Sequence, residues 1–118
     1  MGPYASYIAA WQKRWAEQAE EGRLAAVRAR GVAGGLARLL KDKYGVRRVL
    51  LVGSLARGDS RPGSDIDLAV EGLGPADLFR AGAELEREAG GFEVDLVPLE
   101  DASPEFQLAA EREGIELA

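Results

Sequence analysis

Two aspartates separated by one residue, Asp65 and Asp67, are the first candidates for chemistry in this sequence. Residues two apart in a strand point to the same side, so both carboxylates are expected on one face at the start of a strand. Adjacent carboxylates repel each other unless a cation lies between them, and open sets of hard oxygen ligands suit Mg²⁺, with Mn²⁺ as an alternative. Asp95 is the third candidate, because a carboxylate within the predicted strand 92–97 is costly to bury without a partner. These three residues predict a metal site.

A Gly-Ser pair, Gly53-Ser54, directly follows a short apolar run that ends at Val52. Glycine lets the backbone approach a phosphate closely, and the serine hydroxyl and exposed amides can bind phosphate oxygens. Carboxylates that face such a turn are typical of metal-assisted phosphoryl or nucleotidyl transfer, in which two metal ions about 4 Å apart stabilise the attacking and leaving oxygens. The residues therefore predict a transfer reaction at phosphorus.

The residue types that are absent narrow the chemistry further. The 118-residue chain has no cysteine and no histidine, which excludes disulfides, thiol nucleophiles, the usual zinc ligand sets and histidine general bases. Twenty acidic residues against fifteen basic ones give a net charge of −5, which argues against an extended nucleic-acid-binding surface. Any catalysis must rest on carboxylates, hydroxyls, lysine, arginine and a metal that carboxylates bind.

Apolar spacing predicts the elements that must position these residues. Residues 4–43 are expected to be helical, with Gly22 as a break between two helices. Further elements are strands over residues 48–52, 66–70 and 92–97 and helices over residues 75–88 and 104–112. The loop of about a dozen residues between the first two strands is too short for a helical crossover, which predicts an antiparallel pair. The expected fold class is α+β, a small mixed sheet backed by helices.

The length fits one compact domain. No apolar run approaches the ~20 residues needed to span a bilayer, and the first residues lack the pattern of a secretory leader, so we expect a soluble cytoplasmic protein. Four aromatic residues near the N-terminus, Tyr4, Tyr7, Trp11 and Trp15, have helical spacing. They are interpreted either as core or as an interface, because aromatic residues are enriched at contacts between proteins.

The segment from Gly53 to Val70, GSLARGDSRPGSDIDLAV, resembles the signature of the nucleotidyltransferase fold shared with DNA polymerase β: a Gly-Ser pair, ten residues, then Asp-x-Asp. It is similar in particular to the minimal nucleotidyltransferases of bacteria and archaea, which include MntA-like antitoxins paired with small helical HEPN proteins. The segment FEVDLV, residues 92–97, matches the later strand that carries the third aspartate of the family. The resemblance implies a nucleotidyltransferase domain over residues 35–118, after a helical extension over residues 1–34.

The resemblance also implies a role for each acidic residue. Asp65 and Asp67 would bind two Mg²⁺ ions. Asp95 would complete the metal site nearer the acceptor and help to deprotonate the attacking hydroxyl. Glu93 is the alternative to Asp95, because the two residues share a face of the predicted strand.

The phosphate-binding residues follow from the same signature. Gly53 and Ser54 would hold the β- and γ-phosphates of ATP or another nucleoside triphosphate. Arg57, Arg61 and Ser64 are further candidates on the nucleotide side. Two of these residues have a structural alternative, since Arg57 could pair with a nearby acid such as Asp59 and Ser64 could cap the loop before Asp65.

The implied activity is the Mg²⁺-dependent transfer of AMP from ATP to a hydroxyl, a tyrosine of a HEPN-type toxin, so that the protein acts as an antitoxin. One alternative is a non-catalytic binding module that masks a helical partner. Another is transfer to a small molecule such as an aminoglycoside, against which stands the lack of a second domain to form its pocket. Recognition of the acceptor would come from a partner protein or from a second copy of the chain in a homo-oligomer.

Overall fold

The computed structural model describes residue 2 and residues 4–118. Four helices and four strands follow one another along the described residues. They are α1 (Ala5–Tyr44), β1 (Arg48–Val52), α2 (Gly53–Arg57), β2 (Ile66–Glu71), α3 (Leu78–Glu88), β3 (Val94–Pro98), α4 (Pro104–Glu113) and β4 (Ile115–Glu116). Two short 3₁₀ turns, Pro75–Asp77 and Leu99–Asp101, precede α3 and follow β3. Both α-helix and β-sheet form the domain, which confirms the expected α+β class.

The strands form one mixed sheet in the order β3-β2-β1-β4. Strands β1 and β2 are antiparallel, as their short connection predicted, whereas β2 and β3 are parallel. The sequence analysis missed β4, whose two residues pair with Leu50 and Leu51 of β1. Two residues are too few to show the alternation that identifies a strand. Strand β3 also includes Pro98, which was expected to lie just beyond it.

The two faces of the sheet carry separate apolar clusters. One face packs against α1 and α3 and contains the buried residues Val49, Leu51, Ile66, Leu68 and Val70. The opposite face packs against α4 and contains Leu50, Val52 and Ala69, together with Leu99 and Ala110. Because side chains alternate along a strand, Asp67 belongs to the α4 face, two residues before Ala69. The sheet thus turns the acidic residue of β2 away from the larger core.

Helix α1 is one continuous helix of 40 residues, so the predicted break at Gly22 is wrong. A glycine inside a helix lowers the stability of the helix by about 1 kcal/mol relative to alanine. The flanking alanine, glutamate and arginine residues offset this loss because they favour helix. Helix α1 ends in a C-cap at Gly45, which has a φ of 66° and whose N–H donates to the carbonyl of Lys41 at 3.1 Å.

Helix α1 is attached to the rest of the fold mainly through its second half, and Gly22 of its first half lies close to Pro62. Arg30 donates from Nη2 to the carbonyl of Leu55 at 2.9 Å, and the Tyr44 hydroxyl donates to Glu84 at 2.7 Å. The first half projects outward, so the molecule measures 65 Å along its longest axis and 30 Å along the next. The aromatic residues of this half are exposed, and their interpretation as core is wrong. Among the described residues, no helix has the length and apolar character needed to cross a membrane.

Candidate active site

The candidate site lies where the C-terminal end of β1 meets the N-terminal ends of β2 and β3. In the antiparallel pair of β1 and β2, Asp67 lies opposite Val52. In the parallel pair of β2 and β3, Asp67 lies opposite Asp95. The register therefore brings two of the predicted acidic residues side by side, next to the point at which the chain leaves β1 and enters α2.

Gly53 begins α2 immediately after β1 and lies directly against the carboxylate of Asp67. Its φ of 75° belongs to the left-handed region, which favours glycine. A Cβ atom at this position would overlap Oδ2 of Asp67. Ser54 follows, half-buried, and its carbonyl accepts from the N–H groups of Gly58 and Asp59 at 2.9 and 3.1 Å. Glycine is therefore required at residue 53 both by the backbone conformation and by the proximity of Asp67.

A cleft of about 420 Å³ opens over these residues. Its floor includes Gly53, Asp67 and Asp95, and α4 forms the opposite wall with residues that the sequence analysis did not identify as functional: Phe106, Ala109, Ala110 and Glu113. They lie far along the chain from the Gly-Ser signature, and nothing in the spacing of α4 marks them. A larger groove of about 910 Å³ between α1 and residues 58–62 shares no lining residue with the cleft. We take the cleft as the candidate active site because it contains the acidic pair.

The acidic residues of the cleft interact strongly. Burial, which is the largest cause, and the negative charges of Asp95 and Asp65 together raise the pKa of Asp67 to about 6, and Arg57 opposes this rise. Asp95 is exposed, whereas Asp65 and Asp67 are half-buried. A cation bound between these carboxylates would remove the repulsion that favours the protonated form of Asp67.

The donor set fits a hard divalent cation that the protein and its substrate share. Within the part of the chain that the structure describes, no three acidic side chains converge closely enough to enclose a metal ion. The two carboxylates that the cleft brings together are those of Asp67 and Asp95. Mg²⁺ commonly uses one or two carboxylates together with water and substrate phosphates, and this pair matches that requirement.

The predicted basic and hydroxyl residues separate into two groups. Arg57 lines the cleft and also pairs with Asp59, with Nε to Oδ2 at 3.3 Å. Arg61 lines the groove beside α1 instead. Ser64 closes a turn, because its Oγ accepts from the N–H of Arg61 at 2.8 Å. Glu93, the alternative to Asp95, precedes β3, is exposed and does not line the cleft.

The raised pKa of Asp67 predicts a pH-dependent stability of the metal-free protein. Because this pKa lies above the ordinary value of 3.8, the folded protein binds the proton more tightly than the unfolded chain does. The stabilisation of the folded state by the proton on Asp67 is therefore complete below pH ~4 and is lost as the pH rises through ~6. After allowance for solvent screening, we expect the loss to be about 1–2 kcal/mol of unfolding free energy.

Chemical denaturation in chelator between pH 4.5 and pH 8 measures this loss. The Asp67→Asn variant should lose less stability over the same range, and Mg²⁺ should stabilise the native chain at pH 8 more than it stabilises the variant. An identical pH profile in the native chain and the variant would show that Asp67 does not have the raised pKa.

Comparisons with known proteins agree on one family. The family model described as polymerase beta, nucleotidyltransferase, matches residues 35–118. A candidate protein adenylyltransferase of Methanocaldococcus jannaschii, MJ0435, is 42% identical over 65 residues, which span 52% of this chain and 69% of the archaeal protein.

Solved structures of the same kind share the fold. A candidate minimal nucleotidyltransferase superposes with a TM-score of 0.62 at 32% identity, over 73% of this chain and 89% of the other. A chain from a toxin–antitoxin crystal structure with AMP-PNP superposes with a TM-score of 0.64 at 28% identity, over 73% of this chain and 72% of the other. The family match begins at residue 35 and includes every residue of the cleft.

Proposed function

Because the chain belongs to the polymerase β nucleotidyltransferase family, we propose that it transfers AMP from ATP to a hydroxyl group of a protein partner. The observation that carries this proposal is the pairing of Asp67 with Asp95 in one cleft, against the backbone of Gly53. The relative named for protein adenylylation supports a protein acceptor. The similar chain crystallised with AMP-PNP supports an adenine nucleotide as the donor.

The reaction is a displacement at the α-phosphorus of the nucleotide. The oxygen of the acceptor hydroxyl forms a bond to this phosphorus while the bond from phosphorus to the oxygen that bridges to the β-phosphate breaks. Pyrophosphate leaves with the electron pair of that bond. The proton of the hydroxyl passes to the carboxylate of Asp95 and from there to water, and the exposure of Asp95 supports this route. Two Mg²⁺ ions, when bound, would neutralise the charge of the phosphates and of the attacking oxygen.

The predicted site residues have separate roles in this proposal. Gly53, Arg57, Asp67 and Asp95 line the cleft, whereas Asp65 and Ser54 adjoin it along the chain without lining it. Asp65 and Asp67 would hold the metal ions, and Asp95 would contribute to the site nearer the acceptor. The backbone of Gly53 and the hydroxyl of Ser54 bind the β- and γ-phosphates. Arg57, which lines the cleft, contributes positive charge to the triphosphate. Cleft volumes of roughly 300–1,000 Å³ are typical of small-molecule sites, so a space of about 420 Å³ suits the phosphates and ribose of one nucleotide.

Two of the predicted nucleotide-binding residues have a positioning role in this proposal. Arg61 and Ser64 form the turn that leads into Asp65, through the Ser64 Oγ and through the N–H of Ser64, which donates to the carbonyl of Arg61 at 2.9 Å. In this proposal the turn sets where the chain enters β2, and it thereby positions Asp65, the residue immediately before that strand. Arg61 itself lies beside α1, outside the cleft.

The partner in this proposal is a HEPN-type toxin, with a tyrosine hydroxyl as the acceptor, so that the chain is its antitoxin. The similar chain from a toxin–antitoxin crystal structure supports a toxin as the partner, and the HEPN type and the tyrosine acceptor come from the resemblance to the minimal nucleotidyltransferases.

A transfer assay with ATP labelled at the α-phosphate tests the proposal. The full chain, Mg²⁺ and a candidate HEPN-type toxin should yield labelled toxin, with one pyrophosphate released for each AMP transferred. ATP labelled at the γ-phosphate is the matched control and should leave the toxin unlabelled. Neutralisation of the toxin without label would contradict transfer and favour masking. Label on an added small hydroxyl compound, and none on the toxin, would instead favour a small-molecule transferase.

A further inference from the structure

One face of α1 is buried in its second half and exposed in its first half. In the second half, Ala33, Leu36 and Leu40 lie on this face and pack into the larger core. Counting back by three or four residues along the same face leads to an apolar ridge formed by Trp15, Trp11, Ile8 and Tyr4. The exposed fractions in this ridge lie between 51% and 71%. The ridge therefore extends the packing face of the helix beyond the domain, where the described chain has nothing to cover it.

The apolar ridge is followed on the same face by small residues that line a hollow. Ala19, Gly22 and Ala26 form one side of the groove of about 910 Å³, and residues 58–62 form the other. A Cβ atom at Gly22 would lie 3.4 Å from Cδ of Pro62, so the floor of the groove is narrow there. The rings of Trp11 and Trp15 stack with centroids 5.7 Å apart and form a firm protrusion. Protrusion and hollow thus occur on one surface of one chain.

We propose that the apolar ridge and the groove pair with those of a second copy of this chain, in an antiparallel crossing of the two α1 helices. A two-fold axis makes residue i of one copy meet residue j of the other and the reverse, so a surface with a protrusion and a matching hollow is self-complementary. Antiparallel helices bring Trp11 and Trp15 of each copy over the small residues of the other. Parallel helices would bring the tryptophans of the two copies against each other and leave both grooves open.

The charges beside the ridge support the same arrangement. Arg14 and Glu21 are seven residues apart, two helical turns, and so occupy the same flank of α1. In an antiparallel pair, equivalent flanks face each other, so Arg14 of each copy lies near Glu21 of the other when the axis passes beside residues 17 and 18. Within the described residues neither side chain forms an ion pair. With the axis in this position, the apolar ridge of each copy also lies over the groove of the other copy.

The exposed apolar area is sufficient for a stable pair. Aromatic side chains have roughly 150–250 Å² of surface each, and three of them are more than half exposed in the first half of α1, within reach of the other copy: Tyr7, Trp11 and Trp15. Each copy therefore offers about 350 Å² from these aromatic residues, or roughly 700 Å² for the pair. Ile8 and the walls of the groove bring the total to the lower end of the range of about 1,200–2,000 Å² that is typical of specific interfaces.

Sedimentation of the full chain over a range of concentrations tests the pairing. We expect a reversible dimer, and we expect Trp11→Ala with Trp15→Ala to raise its dissociation constant at least a hundredfold, because buried tryptophans dominate such interfaces. Phe79→Ala is the matched control, since Phe79 is 87% exposed on α3, away from the ridge, and should leave the dimer unchanged. Circular dichroism shows whether the variants remain helical.

Charge reversal examines the antiparallel register separately. Arg14→Glu should weaken the dimer about tenfold, and adding Glu21→Arg should restore it, because the exchanged charges again face each other. A chain that stays monomeric up to millimolar concentration would overturn the proposal. A dimer that the tryptophan variants leave intact would also overturn it, since another surface would then form the contact.

Single cysteines locate the axis, and the natural chain has none to interfere. Under mild oxidation Gln18→Cys should form a disulfide between two copies, because residue 18 lies beside the axis. Gln12→Cys should not, since its two copies would be about 16 Å apart along the helices. Disulfides at both positions would indicate parallel helices and contradict the arrangement, as would a disulfide at residue 12 alone. This pairing does not depend on the proposed transfer activity.

Discussion

Replacing Asp67 by asparagine is expected to reduce AMP transfer at least a thousandfold while the protein stays folded. The asparagine side chain has the same shape but no negative charge, so it holds a divalent cation poorly. Asp67 lies between Gly53 and Asp95. Its negative charge is therefore placed to attract a cation at the centre of the cleft. The variant should be at least as stable as the native chain at neutral pH, because the substitution removes the repulsion that raises the pKa of Asp67.

The transfer rate and the Mg²⁺-dependent binding of ATP are measured together for this variant. Both should fall, since the carboxylate contributes to the metal site on which nucleotide binding depends. Asp42→Asn is the matched control, because Asp42 is an exposed aspartate on α1 with no contact to the cleft. A variant that keeps more than a tenth of the native rate would exclude Asp67 from the reaction, whatever its effect on stability.

Binding of the partner toxin separates catalysis from masking in the same variant. If the protein acts by transfer, Asp67→Asn should still bind the toxin and fail to neutralise it. Full neutralisation by a variant that transfers no AMP would mean that occlusion alone inhibits the toxin. This outcome would leave the fold and the family unaffected and would change only the proposed mechanism.

The fold class was predictable because β1, β2 and β3 each carry a local signal in the sequence. Leu50 and Leu51 lie in a short apolar run, and the loop after it is too short to cross the sheet, so the antiparallel pair followed directly. The break at Gly22 was wrong because propensity is a weak preference, which a long run of good helix formers overrides. Strand β4 lacked a signal of its own, since Ile115 and its neighbour are a strand only through their pairing with β1.

The candidate site was predictable only as far as its signature extends. The spacing from Gly53 to Asp67 identified one part, and the strand match identified Asp95, which the register then brings opposite Asp67. The wall formed by Phe106 and Glu113 depends on how α4 packs across the sheet, a long-range contact that spacing does not encode. The separation of Arg61 from the cleft has the same origin, because it depends on where the loop meets α1.

Replacing Gly53 by alanine is expected to affect both stability and activity. The φ of 75° at Gly53 is unfavourable for alanine and should cost about 1–2 kcal/mol of unfolding free energy. The added Cβ would also overlap Oδ2 of Asp67, so either the α2 turn or the carboxylate must move. Because catalytic groups lose much of their effect when displaced by about 1 Å, we expect AMP transfer to fall at least a hundredfold.

Gly45→Ala separates the two effects of this substitution. Gly45 has a similar φ of 66°, but a Cβ atom there would meet open space, and the residue lies at the end of α1, outside the cleft. Chemical denaturation should therefore show a loss of stability in both variants, at least as large for Gly53→Ala as for Gly45→Ala, whereas the transfer assay should show a loss only for Gly53→Ala. Equal activities in the two variants would mean that the contact of Gly53 with Asp67 does not matter for the reaction. A selective loss would show that the close approach of the backbone to the carboxylate is what the reaction needs from glycine at this position.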